Sequence, residues 1–161
     1  ATSSVRRLVY DLRPPTLDDL GLVGALQQSA ARLEGNGLRF AFEVEEPLPE
    51  LPAAVETAVY RIVHEALTNV ARHAQATRAT VSLQQIDHQL MATLVATLVA
   101  TVEDNGVGLA AGQPSGVGLQ SMQERAAELN GRFVIESTPK EGTKVSVWLP
   151  LRQDEGGETD V

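Results

Sequence analysis

The 161-residue sequence contains no cysteine, which excludes disulfides and thiolate metal sites and fits a reducing compartment. Aromatic residues make up only 4% of the chain against a hydrophobic total of 43%, so a core has to be built from Leu, Val, Ile and Ala. No uncharged apolar run reaches about 18 residues, and no basic segment leads into an apolar one at the start. Neither a membrane span nor a secretory signal is expected. Positive charge is also short: 13 Lys and Arg against 21 Asp and Glu leave a formal net charge of −8. With no basic stripe to offset it, that balance argues against nucleic acid and anionic membrane surfaces as partners. A phosphate-bearing ligand would have to be met by local backbone dipoles, a metal ion and a few placed cations. The length suits one domain.

Residues 3–12 space Val5, Leu8, Val9 and Leu12 as a helix, which Pro14 and Pro15 should stop. A chain that opens inside a helical pattern, with no cap before it, reads as part of something longer. A second helix is expected from Thr16, an N-cap with Asp19 three residues on. Leu20, Val23, Leu26 and Leu33 supply its apolar stripe, and Gly35-Asn36-Gly37 ends it. Residues 38–45 alternate as a strand before the proline-rich EPLPELP. The longest helical pattern covers residues 52–74. It puts Val59, Ile62, Val63, Ala66, Leu67 and Val70 on one broad face. Glu65, Asn69 and Arg72 share a narrow stripe bordering that face, with His73 at its edge.

Strands are expected at residues 78–86 and 90–104, with His88 in the turn between them. A helix through 119–130 ends at Gly131, and strands at 132–138 and 143–151 flank the turn PKEG. Residues 152–161 are acidic, lack apolar anchors and are expected to be disordered. The stretch ATLVATLVAT, residues 92–101, repeats a four-residue unit. A four-residue shift preserves side-chain alternation, so the repeat either lengthens a hairpin, the preferred reading, or leaves the strand register ambiguous.

Three features can carry chemistry. On the helix, Glu65 and Asn69 lie one turn apart. The Asn69 amide oxygen is a hard, neutral ligand of the kind magnesium accepts, and Glu65 could act as a base or hold a metal-bound water. Arg72 and His73 could reach phosphate oxygens. The bland alternative is a solvated helix flank, and spacing by itself favours it. In VEDNGVGL, residues 102–109, a strand runs into Asp104 with Gly106 and Gly108 beyond. The glycines let a planar ring approach, and a buried aspartate can accept a hydrogen bond from an exocyclic amine. The same residues also make an ordinary hairpin turn. In SGVGLQSMQERAAELNG, residues 115–131, Gly116 and Gly118 precede a helix whose free N–H groups can receive a phosphate. No Gly-Lys-Ser/Thr follows and no parallel βαβ unit surrounds the segment, so it is neither a Walker loop nor a dinucleotide fingerprint. A flexible loop before a helix remains the alternative.

The order of these features is more specific than any one of them. The chain resembles the ATP-binding catalytic domain of sensor histidine kinases, in the superfamily shared with type II topoisomerase ATPase domains, a heat-shock chaperone and a mismatch-repair ATPase. RIVHEALTNVARHA looks like the family's N box, VEDNGVGL its first glycine box, and SGVGLQSMQERA its second. GTKVSVWLPL looks like the closing strand, with Gly142 and Thr143 near the nucleotide. LRPPTLDDLGLVGAL resembles the linker of the subgroup whose partners are helix-turn-helix response regulators. The likeness runs from about residue 6 to about residue 151.

The resemblance implies an α/β two-layer sandwich of the Bergerat type, a mixed and mostly antiparallel sheet with helices on one face. Residues 1–15 would end a dimerisation helix and linker, residues 16–151 would form the catalytic domain, and residues 152–161 a tail. ATP and Mg2+ are the implied cofactors. Glu65 would be the catalytic acid or base and Asn69 the magnesium ligand. Arg72 and His73 would lie near the phosphates, Asp104 would bind the adenine amine, and Gly106 and Gly108 would shape the base pocket. Gly116, Gly118, Leu119 and Thr143 complete the implied site. His64 precedes the N-box acid and is not the implied phosphoacceptor. That histidine belongs on a dimerisation domain upstream of residue 1. The other implied partner is a response regulator, and the implied location is cytoplasmic, with the parent protein either soluble or membrane-anchored. Two alternatives are an anti-sigma-type serine kinase and an interaction module whose nucleotide site has decayed. The linker-like segment argues against the first, and the intact Glu65, Asn69, Asp104 and paired glycines against the second.

Overall fold

A computed structural model describes residues 13–109 and 117–152. The helix expected at residues 3–12, Gly116, and the tail from residue 153 lie outside the described residues. Helix α1, Pro15–Leu33, begins with a proline in its first turn, where a missing N–H leaves no bond unmade. The N-cap residue is Pro14 rather than Thr16, and no side chain caps the start. Gly21, at φ 73° and ψ 174°, interrupts the helical path, a conformation that glycine adopts without a Cβ clash. The interruption resets the helical phase. A single stripe therefore cannot join Leu20, before the interruption, to Val23, Leu26 and Leu33 after it: Leu20 is 48% exposed, while Leu17, Leu22, Ala25, Leu26 and Ala30 face inward. Arg13 pins the start of α1: its Nε donates to Asp18 at 2.7 Å, and its guanidinium also pairs with Glu56.

Strand β1, Arg39–Val44, precedes helix α2, Ala53–Asn69, which continues into a π-helical turn over Val70–Ala74. Strands β2, Arg78–Leu90, and β3, Thr93–Asp104, form a long hairpin. Helix α3, Val117–Glu128, then leads to β4, Arg132–Thr138, and β5, Gly142–Pro150. The five strands pair in the order β1-β2-β3-β5-β4. Only β1 and β2 run parallel, joined through α2, as a parallel pair requires.

One face of the sheet carries the core. Leu98, Ala100 and Val102 of β3 and Val147 and Leu149 of β5 pack with Leu26 of α1, Ile62 and Leu67 of α2, and Met122 of α3. The alternate residues of β3 are absent from that cluster. All three helices therefore contribute to a core on one face of a mixed sheet, the expected two-layer arrangement.

The β2–β3 hairpin reaches past its neighbours. Strand β1 pairs with β2 only as far as Leu83, and β5 pairs with β3 only as far as Thr97. The first repeat unit, residues 92–95, lies in the projecting end, with Leu94 68% and Met91 93% exposed. The second unit, residues 96–99, enters the sheet, where Thr97, Leu98 and Val99 are buried. The duplication thus lengthens the hairpin. A slip by four residues would preserve alternation but place Ala100 where Asp104 stands, and would separate the paired hydroxyls of Ser82 and Thr101. His88 pairs with Val95 within the strands instead of forming the turn, because pairing continues to Leu90 and Thr93. Since Met91 and Leu94 bury little, the double substitution Met91→Lys/Leu94→Lys is expected to change stability by less than about 0.5 kcal/mol. Thermal unfolding checks this, and a drop in Tm of more than about 5 °C would show that the projecting end is packed.

Candidate functional site

Glu65 and Asn69 sit half-buried on α2, one turn apart, beside the inward face made by Ile62, Val63, Ala66 and Leu67. At Val70 the helix changes character: its N–H is shared between the carbonyls of Ala66 and Leu67, and residues 70–74 wind as a π turn. A π turn carries each residue through a smaller angle than an α turn. The stripe drawn at about 100° per residue therefore holds for Glu65 and Asn69 but not beyond. Arg72 and His73 both stand exposed on the π turn. Gln75, in the left-handed conformation at φ 50°, ends it.

The π turn abuts the loop after β3. Val107 donates its N–H to the carbonyl of Ala74 at 2.8 Å. A Cβ on Gly106 would lie 2.1 Å from that same carbonyl oxygen, so no other residue fits there without movement. Asn105, which the sequence presents as a turn residue, is a latch. Its Oδ1 accepts the N–H groups of Thr77 and Arg78, each at 3.0 Å, and its Nδ2 donates to Thr77 Oγ1 at 2.8 Å. An Asn in a turn next to glycine is the only sequence signal for this, since such amides commonly bond to nearby backbone.

Asp104 closes β3 and is 7% exposed. Its Oδ1 accepts the N–H of Gly106 at 2.8 Å, and the backbone N–H of Thr143 also bonds to the carboxylate. Burial pushes the carboxyl above the usual carboxylate range; the two N–H bonds oppose the rise and Glu103 adds to it. The β4–β5 turn fixes the other side of the loop. Lys140 donates its N–H to Val107 O at 2.7 Å, and Leu109 donates its N–H to Ser137 Oγ at 2.7 Å. Ser137 can donate to Gly142 O at 3.3 Å while accepting from the Thr143 hydroxyl at 2.9 Å, which uses its full hydrogen-bonding capacity. Sequence reasoning missed Ser137, which carries no motif signal of its own. Gly108, at φ 75°, passes so close to Thr138 that a Cβ would lie 2.5 Å from its carbonyl oxygen. Gly142, at φ 108°, passes closer still to the Asp104 carbonyl, where a Cβ would lie 1.9 Å from the oxygen.

From the far side, Gly118 of α3 meets Glu65: a Cβ there would lie 2.3 Å from Glu65 Oε1. Leu119 is partly buried against the core. The structure therefore brings Asp104, Gly106, Gly108 and Thr143 into one cluster, joins that cluster to the end of the Asn69 helix through Ala74, and joins Glu65 to Gly118. His64 faces elsewhere. It shares a hydrogen bond with Ser29 of α1 at 3.2 Å and stacks on Tyr60, and burial lowers its pKa. It is packing between α1 and α2.

Residues 54–153 match the family model described as histidine kinase-, DNA gyrase B-, and HSP90-like ATPase, and the chain belongs to that family. The oxygen sensor histidine kinase NreB of Staphylococcus carnosus is 36% identical over 91% of this chain and 41% of its own length. The sensor histidine kinase MctS of Rhizobium johnstonii is 35% identical over 93% of this chain and 32% of its own. The histidine-protein kinase/phosphatase DegS of Brevibacillus brevis is 33% identical over 95% and 38%. The chain thus spans between 32% and 41% of the length of these relatives. In fold it is similar to the histidine kinase domain of a blue-light activated histidine kinase, EL346 of Erythrobacter litoralis. That match has a TM-score of 0.65 at 19% identity and covers 81% of this chain and 59% of that one.

The close approaches at the loop predict that glycine replacement there is costly. Gly106→Ala forces a methyl group against backbone and is expected to lose about 2–4 kcal/mol. Gly37→Ala, at φ 87° in open space, should lose only the left-handed strain of about 1–2 kcal/mol. Chemical denaturation of the two variants compares them, and equal losses would contradict the described loop packing.

Proposed function

We propose that this domain binds Mg-ATP between α2, the loop after β3 and the start of α3, and presents the γ-phosphate to a histidine on a dimerisation domain, for relay to a response regulator. The observation that carries the proposal is the treatment of Asp104: a carboxylate held in a buried position by two backbone N–H groups, with glycines that let the flanking backbone close up on either side of it. Such a carboxylate retains lone pairs for a donor brought by a ligand, and an adenine amine is such a donor. Gly106 and Gly108 let the loop pack directly on Ala74 and Thr138 and so shape the wall of the base pocket, and Thr143 holds the carboxylate from β5.

The Asn69 amide supports a magnesium site at the other end. Among the described residues no group of three or more His, Cys, Asp or Glu comes together as a metal cage. A hard cation held by one amide, its waters and phosphate oxygens suits that donor set. Bound magnesium would draw charge from the transferring phosphoryl group. Glu65 acts as the base or water-positioning carboxylate. Arg72 and His73, exposed at the π turn, serve the phosphate end together with the backbone N–H groups of Gly116, Gly118 and Leu119, which any L-residue at these positions would also offer. Two relatives named as sensor histidine kinases and one named as a histidine-protein kinase/phosphatase favour a histidine acceptor over the serine acceptor of an anti-sigma-type kinase. Among the described residues no helix is long and apolar enough to cross a membrane. We place the domain in the cytoplasm, where ATP is available.

ADP with magnesium is expected to raise Tm by mass action, by an amount equivalent to about 2.7 kcal/mol at a hundredfold excess over Kd. Asp104→Asn removes the charge whose burial is unfavourable, so its Tm without ligand should not fall by the equivalent of more than about 1 kcal/mol, yet the ADP-induced rise should disappear. Asn69→Asp should likewise abolish the magnesium-dependent part of the rise. An unchanged rise in either variant would overturn that residue's role, and no rise in the parent at millimolar nucleotide would overturn the proposal.

A further inference from the structure

Gly118 raises a question that its backbone does not answer. It is the second residue of α3, and its φ lies outside the left-handed range, so any L-residue could adopt its conformation. Glycine in a helix is less favourable than alanine by about 1 kcal/mol. What excludes a side chain is one neighbour. The three nearest atoms to a Cβ built on Gly118 all belong to Glu65: Oε1 at 2.3 Å, Cδ at 3.0 Å and Cγ at 3.2 Å. Elsewhere in the site the atom nearest a glycine's Cβ is a backbone carbonyl: that of Ala74 at Gly106, Thr138 at Gly108 and Asp104 at Gly142. Gly118 is different, because the bare Cα is a seat for a carboxylate. That seat lies at the positive end of a helix, which favours a negative group there.

We infer that Gly118 is a positioning residue for Glu65, so that the seating of α3 sets where the carboxylate points. The inference rests on the reading of Glu65 as the base or water-positioning group. Glu65 hangs from α2, and its side chain has three rotatable bonds with which to wander. Gly118 limits that freedom by offering room in one place. Because α3 follows directly on the glycine-rich segment, whatever moves the start of α3 moves the carboxylate with it. A methyl group at residue 118 displaces the flexible end of Glu65 rather than any backbone. The fold should therefore survive the change while the geometry of the carboxylate does not. A displacement on the scale of an ångström lowers transfer by about tenfold to a hundredfold.

The experiment measures Gly118→Ala in three ways, with transfer followed from ATP to a histidine-bearing dimerisation domain supplied to this chain. The expected result is a Tm within about 2 °C of the parent or above it, because alanine favours the helix. ADP affinity should stay within about threefold, while transfer falls by at least about tenfold. In a Glu65→Asp background, whose shorter side chain withdraws from residue 118, adding Gly118→Ala should change transfer by less than about twofold, a non-additivity expected of groups in contact. Equal losses in ADP affinity and transfer, or the same loss in both backgrounds, would overturn the inference and show that a methyl group at residue 118 acts on the bound phosphates rather than on Glu65. If Glu65→Gln transfers at the parent rate, the reading of Glu65 fails instead. The contact is then decided by the 13C carboxyl resonance of Glu65, which must move in Gly118→Ala if the inference holds, and which overturns it by staying still.

Discussion

The structure depends on how closely the end of β3 is gripped by backbone from both sides. At Asp104 the chain leaves the middle of the sheet, and within four residues it meets the π turn through Ala74 and the β4–β5 turn through Thr138 and Gly142. These are contacts of main chain on main chain. They work only because three of the residues have no Cβ, and they leave Asp104 facing inward with its two N–H partners fixed. A side chain at any of these positions would need the sheet, the hairpin or the helix end to move. Interiors packed at crystal-like density resist such movement.

The grip has an electrostatic consequence. A chain with a net charge of −8 is a poor general attractor of nucleotide, and Asp104 adds a carboxylate that burial already disfavours. In the proposed function, affinity for a polyanion comes from local arrangements: an amide for a cation, helix ends for phosphate, and a carboxylate spent on the base rather than on the phosphates. The acidic surface would then weaken non-specific anion binding without reaching into the proposed site, which relies on backbone dipoles. Glu65 fits the same scheme, since its negative end rests against the start of α3, where the helix dipole offsets it.

Much of this was legible from residue order. The inward face of α2 follows directly from the spacing of Val59, Ile62, Val63, Ala66, Leu67 and Val70, since nothing interrupts the helix there. The strands were legible because alternation survives in β1, β3 and β5. Three things were hidden. Gly21 breaks α1 without a proline or a polar cluster to announce it, and the stripe including Leu20 was misplaced in consequence. The π turn over Val70–Ala74 is signalled by no residue type, so Arg72 and His73 were placed by an angle that stops applying at Asn69. The latch of Asn105 and the bridge of Ser137 join residues 27 or 28 apart, and contacts at that separation have no local pattern. The repeat at residues 92–101 was open between two readings until pairing with β2 and β5 placed its two units differently.

The central claim is that helix end, loop and β5 act on one nucleotide. It is tested most directly by titrating the isotopically labelled chain with Mg-ADP and following the backbone amides of Gly106, Leu109 and Thr143 together with the side-chain amide of Asn69. The account predicts that all four resonances move along one binding curve with a single Kd. Movement of only one group, or separate curves for Asn69 and Thr143, would contradict it.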